Sequence, residues 1–237
     1  MIVFWRLVLA YYLADIAFYG KRFYCWRDRC MAKATVAHGL LFYAICAALT
    51  YPYLNLEWPF LDLFPLKGWV CIALFTVFHI FSDEWFRLPH SLKLRDTFSF
   101  LLHDFINLLF LFLCVPFNAL YETGRLAAEP WVVALVGLVI TVLFVGRLCY
   151  LVEKDLYGRD YPTPDEQLMM KISRAIFFLI MLLPGWRWLF LLAAWWIACV
   201  YARKVRLIDV SNFSFYFGLP AAMVIGFLVR LRIYSLW

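Results

Sequence analysis

Residues 67–86 read KGWVCIALFTVFHIFSDEWF, an oily run that carries a histidine and an aspartate one helical turn apart near its end, His79 and Asp83. The run decides the fold class. About 20 apolar residues rising 1.5 Å each cross a hydrocarbon core, and a helix satisfies its own backbone there. It also poses the functional question, because two ionisable groups placed where lipid is expected cost several kcal/mol unless something partners them.

The rest of the chain agrees with this run. Of the 237 residues, 66% are apolar and 16% charged, with a mean hydropathy of +0.80; soluble domains run at about half apolar and a quarter charged. The composition predicts an all-α, polytopic integral membrane bundle. No run alternates in the manner of a lipid-facing barrel strand. Met1 to Gly20 lacks a basic opening and carries Arg6 and Asp15 inside an apolar run, so it reads as a first span and not as a cleavable signal.

Hydropathy predicts six strong spans, 2–20, 34–53, 67–86, 97–118, 131–152 and 187–203. Two weaker runs add to them. SRAIFFLIMLLPGWRW (173–188) is short and broken at Pro184-Gly185, which suits one arm of a tight helical hairpin or a re-entrant segment, and FSFYFGLPAAMVIGFLVRL (213–231) is long enough to cross. The expectation is seven or eight helices. EKDLYGRDYPTPDEQLMMK, from Glu153 to Lys171, is the longest polar segment, with a short helix expected to start near Pro164, capped by Thr163 or Asp165. The expected organisation is a five-helix N-terminal bundle over 1–152, a cytoplasmic loop over 153–170 and C-terminal membrane helices over 171–237.

Basic residues orient the chain. Lys21, Arg22, Arg27, Arg29 and Lys33 follow the first span, and Arg87, Lys93 and Arg95 follow the third, so those loops are expected inside and the N-terminus outside. Lys154, Arg159, Lys171 and Arg174, then Arg203, Lys204 and Arg206, are placed inside by the same rule. Arg230 and Arg232 fit it less well and predict an interfacial or tilted last helix. The net charge of +6 reads as this topological bias, suited to an anionic inner leaflet, and not as a nucleic-acid footprint.

With that orientation, the polar residues fall in one layer. Asp15 on the first span, His38 on the second, His79 and Asp83 on the third, and His103, Asp104 and Asn107 on the fourth lie within a few turns of the expected cytoplasmic ends. His79 and Asp83 share a helix face at i,i+4, as do His103 and Asn107, and Asp104 stands about 100° from His103. Arg147 and Glu153 approach the same side from the fifth span. Histidine and carboxylate one turn apart on facing helices is how bundles build metal sites, and imidazole with carboxylate suits zinc or another divalent ion. The candidate ligands are His38, His79, Asp83 and His103, with Asp15 as ligand or general base. In a plainer reading the same groups reach headgroups or water, or hydrogen-bond only to lock the bundle, and Asp104 is the member best suited to that role.

YYLADIAFYGK, VAHGLL, FHIFSDEW and FLLHDFINLL together give the chain a resemblance, over roughly residues 5 to 115, to small bacterial inner-membrane proteins grouped as domain of unknown function family 3307. That family shows an Asp-Phe near the end of its first span with a Gln and a Lys after it, a His opening the second, His-x-x-x-Asp closing the third and Asp-Gln-x-x-His in the fourth. Asp15, Lys21, His38, His79 and Asp83 match this pattern. Tyr19, His103, Asp104 and Asn107 depart from it, standing where Gln, Asp, Gln and His are expected. The resemblance implies a bacterial inner-membrane location but no activity; the His and Asp pattern is similar in style to bacterial membrane proteins described as metal-dependent hydrolases.

Other residue classes add little chemistry. Cys46, Cys71, Cys114, Cys149 and Cys199 lie within spans and are expected to pack as small hydrophobes, while Cys25 and Cys30 share one basic loop with spacing that permits a metal clip or lipidation. The aromatic load of 21% suits interface belts and packing. Phosphate-loop, serine-elbow, haem-attachment and zincin motifs are absent from the sequence. Two classes of function stay open: a metal-dependent hydrolase acting at the membrane face on a lipid or isoprenoid-linked phosphate, and a non-catalytic membrane component, either a scaffold subunit of a larger assembly or a small proton-coupled transporter.

Overall fold

A computed structural model describes residues 2–18, 31–60, 63–87, 96–115, 129–158, 164–205 and 211–234. The described chain is all-α apart from one short hairpin. Five helices are long and apolar enough to cross a membrane, Lys33–Tyr53, Gly68–Phe86, Asp96–Cys114, Pro130–Tyr157 and Ser214–Ile233, and Ile2–Ala14 is a shorter apolar helix. The chain divides into two compact units, Met1–Leu94 with Phe98–Val132 and Arg95–Thr97 with Val133–Trp237. The basic loops at 19–30 and 88–95, with Lys21, Cys25, Cys30 and His90, lie outside the described residues, as does the segment 206–210.

The first unit is built on α1 (Ile2–Phe18), α2 (Met31–Thr50), α3 (Gly68–Arg87) and α4 (Asp96–Cys114). α1 packs along α2, and α2 along α3. Six consecutive residues of α1, Leu7 to Tyr12, are buried. A helix covered all round sits inside its bundle, which explains why this segment has no polar stripe. α3 and α4 are joined by parallel stacking of Phe78 on Phe110, with ring centroids 3.9 Å apart.

Between α2 and α3, the segment expected as a plain loop forms an antiparallel hairpin of β1 (Glu57–Phe60) and β2 (Phe64–Lys67), paired Glu57 to Lys67 and Trp58 to Leu66. Its anchor is Trp58, which is buried and whose indole N–H donates to the Tyr53 carbonyl at 3.1 Å. That one buried tryptophan gives a four-residue ribbon the apolar attachment that an isolated hairpin lacks. Elsewhere in the unit, Arg6 forms a bidentate pair with Glu129, at 2.8 and 2.7 Å through Nη2, and donates from Nη1 to the Leu49 carbonyl. A fork of this kind holds an ionised group in an apolar setting because nearly every donor is used.

The second unit comprises α5 (Pro130–Tyr157, widened by a π-helical turn at Ile140–Phe144), α6 (Pro164–Met181), α7 (Arg187–Lys204) and α8, whose π-helical turn Ser214–Gly218 leads into Leu219–Ile233. The short helix expected after Pro164 and the apolar run expected from Ser173 are one continuous helix, α6. Hydropathy splits it because its first two turns are polar and its last three apolar. α6 and α7 form a hairpin whose turn contains Gly185 at φ 69°, a left-handed conformation that favours glycine. Where α8 crosses α6, a Cβ built on Gly226 would come 2.8 Å from the Met181 Cβ and 3.3 Å from the Phe178 carbonyl oxygen, so the backbones approach closely only because that position carries no side chain.

Arg230, out of place by the charge rule, has a structural role at this crossing. Its guanidinium donates to the carbonyls of Met181, Leu183 and Gly185 and lies over the rings of Trp188 and Tyr234. These are carbonyls that the end of α6 and its turn leave without helical partners.

Candidate functional site

The polar layer of the first unit is assembled by three helices. α2 supplies His38 about two turns from its start, α3 supplies His79, Ser82 and Asp83, and α4 supplies His103, Asp104 and Asn107. The sequence folds this way because most of the remaining surface of these helices is apolar, and the few polar positions pair where the helices face one another.

Asp83 is the hub. Its Oδ1 lies 2.7 Å from His103 Nε2, a hydrogen bond in which the carboxylate accepts and the ring must donate. Its Oδ2 faces two other imidazoles, 3.6 Å from His38 Nδ1 and 3.7 Å from His79 Nε2. His38 and His79 meet edge to face, with centroids 5.2 Å apart. The carboxylate retains 27% of its side-chain surface, whereas His79 is fully buried, so the cluster opens on the Asp83 side and closes on the His79 side.

His79 is held on every flank. Phe42 stacks on its ring at 4.4 Å, Tyr11 meets it edge on at 5.5 Å, and its Nδ1 lies 3.2 Å from the Asn107 Oδ1. Its Nε2 is buried and has no hydrogen-bond partner among the described residues. Ser82 completes the network, with its hydroxyl 2.9 Å from the His79 carbonyl oxygen and 3.1 Å from the Asn107 Oδ1, either of which can accept its single proton.

His38, His79 and Asp83 each offer a ligand atom within 4.8 Å of the others. Bonds of about 2.0–2.1 Å at tetrahedral angles set ligand atoms roughly 3.3 Å apart, so the two Asp83 distances require contractions of only a few tenths of an ångström. Two imidazole nitrogens and one carboxylate oxygen, one nitrogen buried without a partner and one flank open, match the donor set of a three-ligand zinc site. His103 meets this group through the second Asp83 oxygen, in the position of a group that orients a ligand carboxylate.

Asp15 lies on α1, but its side chain is outside the described residues. Glu153 belongs to the second unit, bonded there to Ser211 and Ser214, and Arg147 also lies on α5. Asp104 is buried and accepts hydrogen bonds from the Tyr11 hydroxyl at 2.8 Å and the Tyr12 hydroxyl at 3.2 Å, which ties α4 to α1. Asp104→Leu removes both hydrogen bonds and is expected to lower stability by about 1–3 kcal/mol, read as an earlier thermal transition in detergent. An unchanged transition would mean the tyrosines find other acceptors at no cost.

The sequence groups His38, His79, Asp83, His103 and Asn107, but it does not reveal the role of Asn107 or the parts played by Ser82, Tyr11 and Tyr12. Asn107 stood out only as a poor ligand, whereas its amide bridges His79 and the His103 carbonyl. Ser82 gave no signal beyond its place beside Asp83. The Tyr11-Tyr12 pair was visible only as two hydroxyls in an apolar span. No family model matches the chain, and neither a curated protein nor a solved structure matches it.

Proposed function

We propose that the chain is a seven- or eight-span membrane protein of bacterial inner-membrane type, N-terminus outside, whose polar layer binds a divalent cation of the zinc class and hydrolyses a lipid-linked phosphate at the cytoplasmic face. The observation that carries this reading is the convergence of His38, His79 and Asp83 from two helices, with the buried His79 Nε2 left unbonded beside the Asp83 carboxylate. The resemblance to the family 3307 proteins supports the location.

In this reading His38, His79 and Asp83 hold the ion, and His103 fixes the Asp83 carboxylate through its 2.7 Å hydrogen bond. A bound divalent ion supplies Lewis acidity and a water acidified toward neutrality. Asp15, on the neighbouring helix, is assigned the proton-accepting role, and the partly exposed side of Asp83 is the side from which substrate approaches. The test is release of phosphate or diacylglycerol from phospholipid and polyprenyl-phosphate substrates in mixed micelles by purified protein. Activity is expected, lost on chelation and restored by zinc; turnover unaffected by chelators would overturn the metal-dependent reading.

The closed run of contacts from Ser82 through Asn107 and His103 to Asp83 favours a second reading, in which the layer locks α3 to α4 in a scaffold subunit of a larger assembly. Metal-free protein of full stability is the outcome that favours it.

A further inference from the structure

We infer that Asn107 is a positioning residue that sets His79 as its Nδ1–H tautomer, leaving the bare Nε2 lone pair aimed at the Asp83 side of the cluster for a cation. The first half of this statement stands on hydrogen bonding alone; the second rests on the metal reading above.

The His103 main-chain oxygen accepts a hydrogen bond from Asn107 Nδ2 at 3.0 Å. A carbonyl oxygen can only accept, so the amide nitrogen must face it and the amide oxygen must face the other way. That oxygen meets His79 Nδ1 at 3.2 Å and the Ser82 hydroxyl at 3.1 Å. Because Oδ1 also can only accept, the imidazole has to present Nδ1–H. A neutral ring carries one proton, so Nε2 is left with its lone pair, buried, without a hydrogen bond and 3.7 Å from Asp83 Oδ2.

Without a cation that arrangement is unfavourable, since a lone pair and a carboxylate oxygen face each other across a gap that a proton on Nε2 would relieve. The alternative tautomer would give Nε2–H to Asp83 and cost the Asn107 hydrogen bond. Asn107 therefore holds His79 in the form that suits a metal ligand at the expense of the form that suits a plain hydrogen-bonded lock. Its Nδ2 also lies 3.0 Å from His103 Nε2, but that nitrogen already gives its proton to Asp83 at 2.7 Å, so the contact is one of proximity.

The test reads the tautomer directly. Full-length protein labelled with 15N-histidine is prepared metal-free in detergent as wild type, Asn107→Leu and Asn107→Asp, with His79→Gln to assign the His79 signals. Spectra are recorded well above the ordinary histidine range near pH about 6.5, where the ring is neutral. Wild type and Asn107→Asp, which both keep an acceptor, are expected to show the proton on Nδ1, and Asn107→Leu to move it to Nε2. Zinc affinity by chelator competition is expected to fall about 10–100-fold in Asn107→Leu and to stay within about tenfold in Asn107→Asp.

A proton on Nε2 in the wild type, or an unchanged tautomer in Asn107→Leu, would overturn the inference whatever the metal content. Expected tautomers in a wild type that binds no zinc would leave the positioning role standing and remove the metal reading. If Asn107→Leu fails to fold, the wild type and Asn107→Asp spectra still decide the tautomer.

Discussion

Purified wild-type protein is expected to carry about one divalent ion per chain, and His79→Ala none. The effect should be large because His79 supplies the least replaceable donor of the three. It is fully buried, and its ring is stacked on Phe42, edged by Tyr11 and bonded to Asn107, so its donor nitrogen is fixed in place by packing. Alanine leaves one imidazole and one carboxylate, which is two donors where a stable site needs three. Elemental analysis of protein prepared without chelators reads the outcome. Stoichiometric metal retained in His79→Ala would place the ion elsewhere in the chain.

The second large effect concerns the other unit. Glu153→Leu is expected to destabilise the protein by about 3–5 kcal/mol, and the double variant Glu153→Leu with Arg174→Met to recover most of that loss. Glu153 is buried at the end of α5 and accepts, on one carboxylate oxygen, the Ser211 hydroxyl and the Ser214 main-chain N–H at 3.0 Å. It therefore caps the first turn of α8 from a neighbouring helix, together with Ser211, whose Oγ accepts from the same Ser214 N–H at 2.9 Å. It also lies close enough to Arg174 to act on it electrostatically, without an ion pair between them among the described residues, and Arg174 is a buried guanidinium whose Nε and Nη1 lack hydrogen bonds there. Leucine removes the cap and a nearby negative charge; methionine at 174 removes the buried cation on which that charge acts. Thermal transitions followed by circular dichroism distinguish the three forms. A single variant as stable as wild type would show that Arg174 finds compensation from groups other than Glu153.

Helical class and the meeting of His38, His79, Asp83 and His103 were legible because both depend on periodicities that any helix obeys. Apolar runs of spanning length admit few backbone solutions in lipid, and a rise of about 1.5 Å per residue converts position along a span into depth. That is why His38, His79, Asp83 and His103 could be placed on one level before any contact was known. What a side chain does at that level depends on orientation, which spacing does not carry. Asn107 read as a lost ligand, yet the direction of its amide is decided by a main-chain oxygen of its own helix. α6 was divided in two because hydropathy follows the solvent around a helix and not the helix itself. The hairpin at Glu57–Lys67 was missed because it rests on a single buried indole, Trp58, amid prolines that argue against strands.

The contacts of Arg230 have a consequence for biogenesis. The α6–α7 hairpin is synthesised some 45 residues before the side chain that closes the carbonyls of its turn, since Arg230 reaches back to Gly185 from near the end of the chain. Until α8 is laid against it, the hairpin therefore leaves those oxygens without the donors that close them. A chain cut before residue 230 keeps both arms of the hairpin but loses the donors for the Met181, Leu183 and Gly185 carbonyls, so the finish of the α6–α7 turn is written in a residue far from it in sequence.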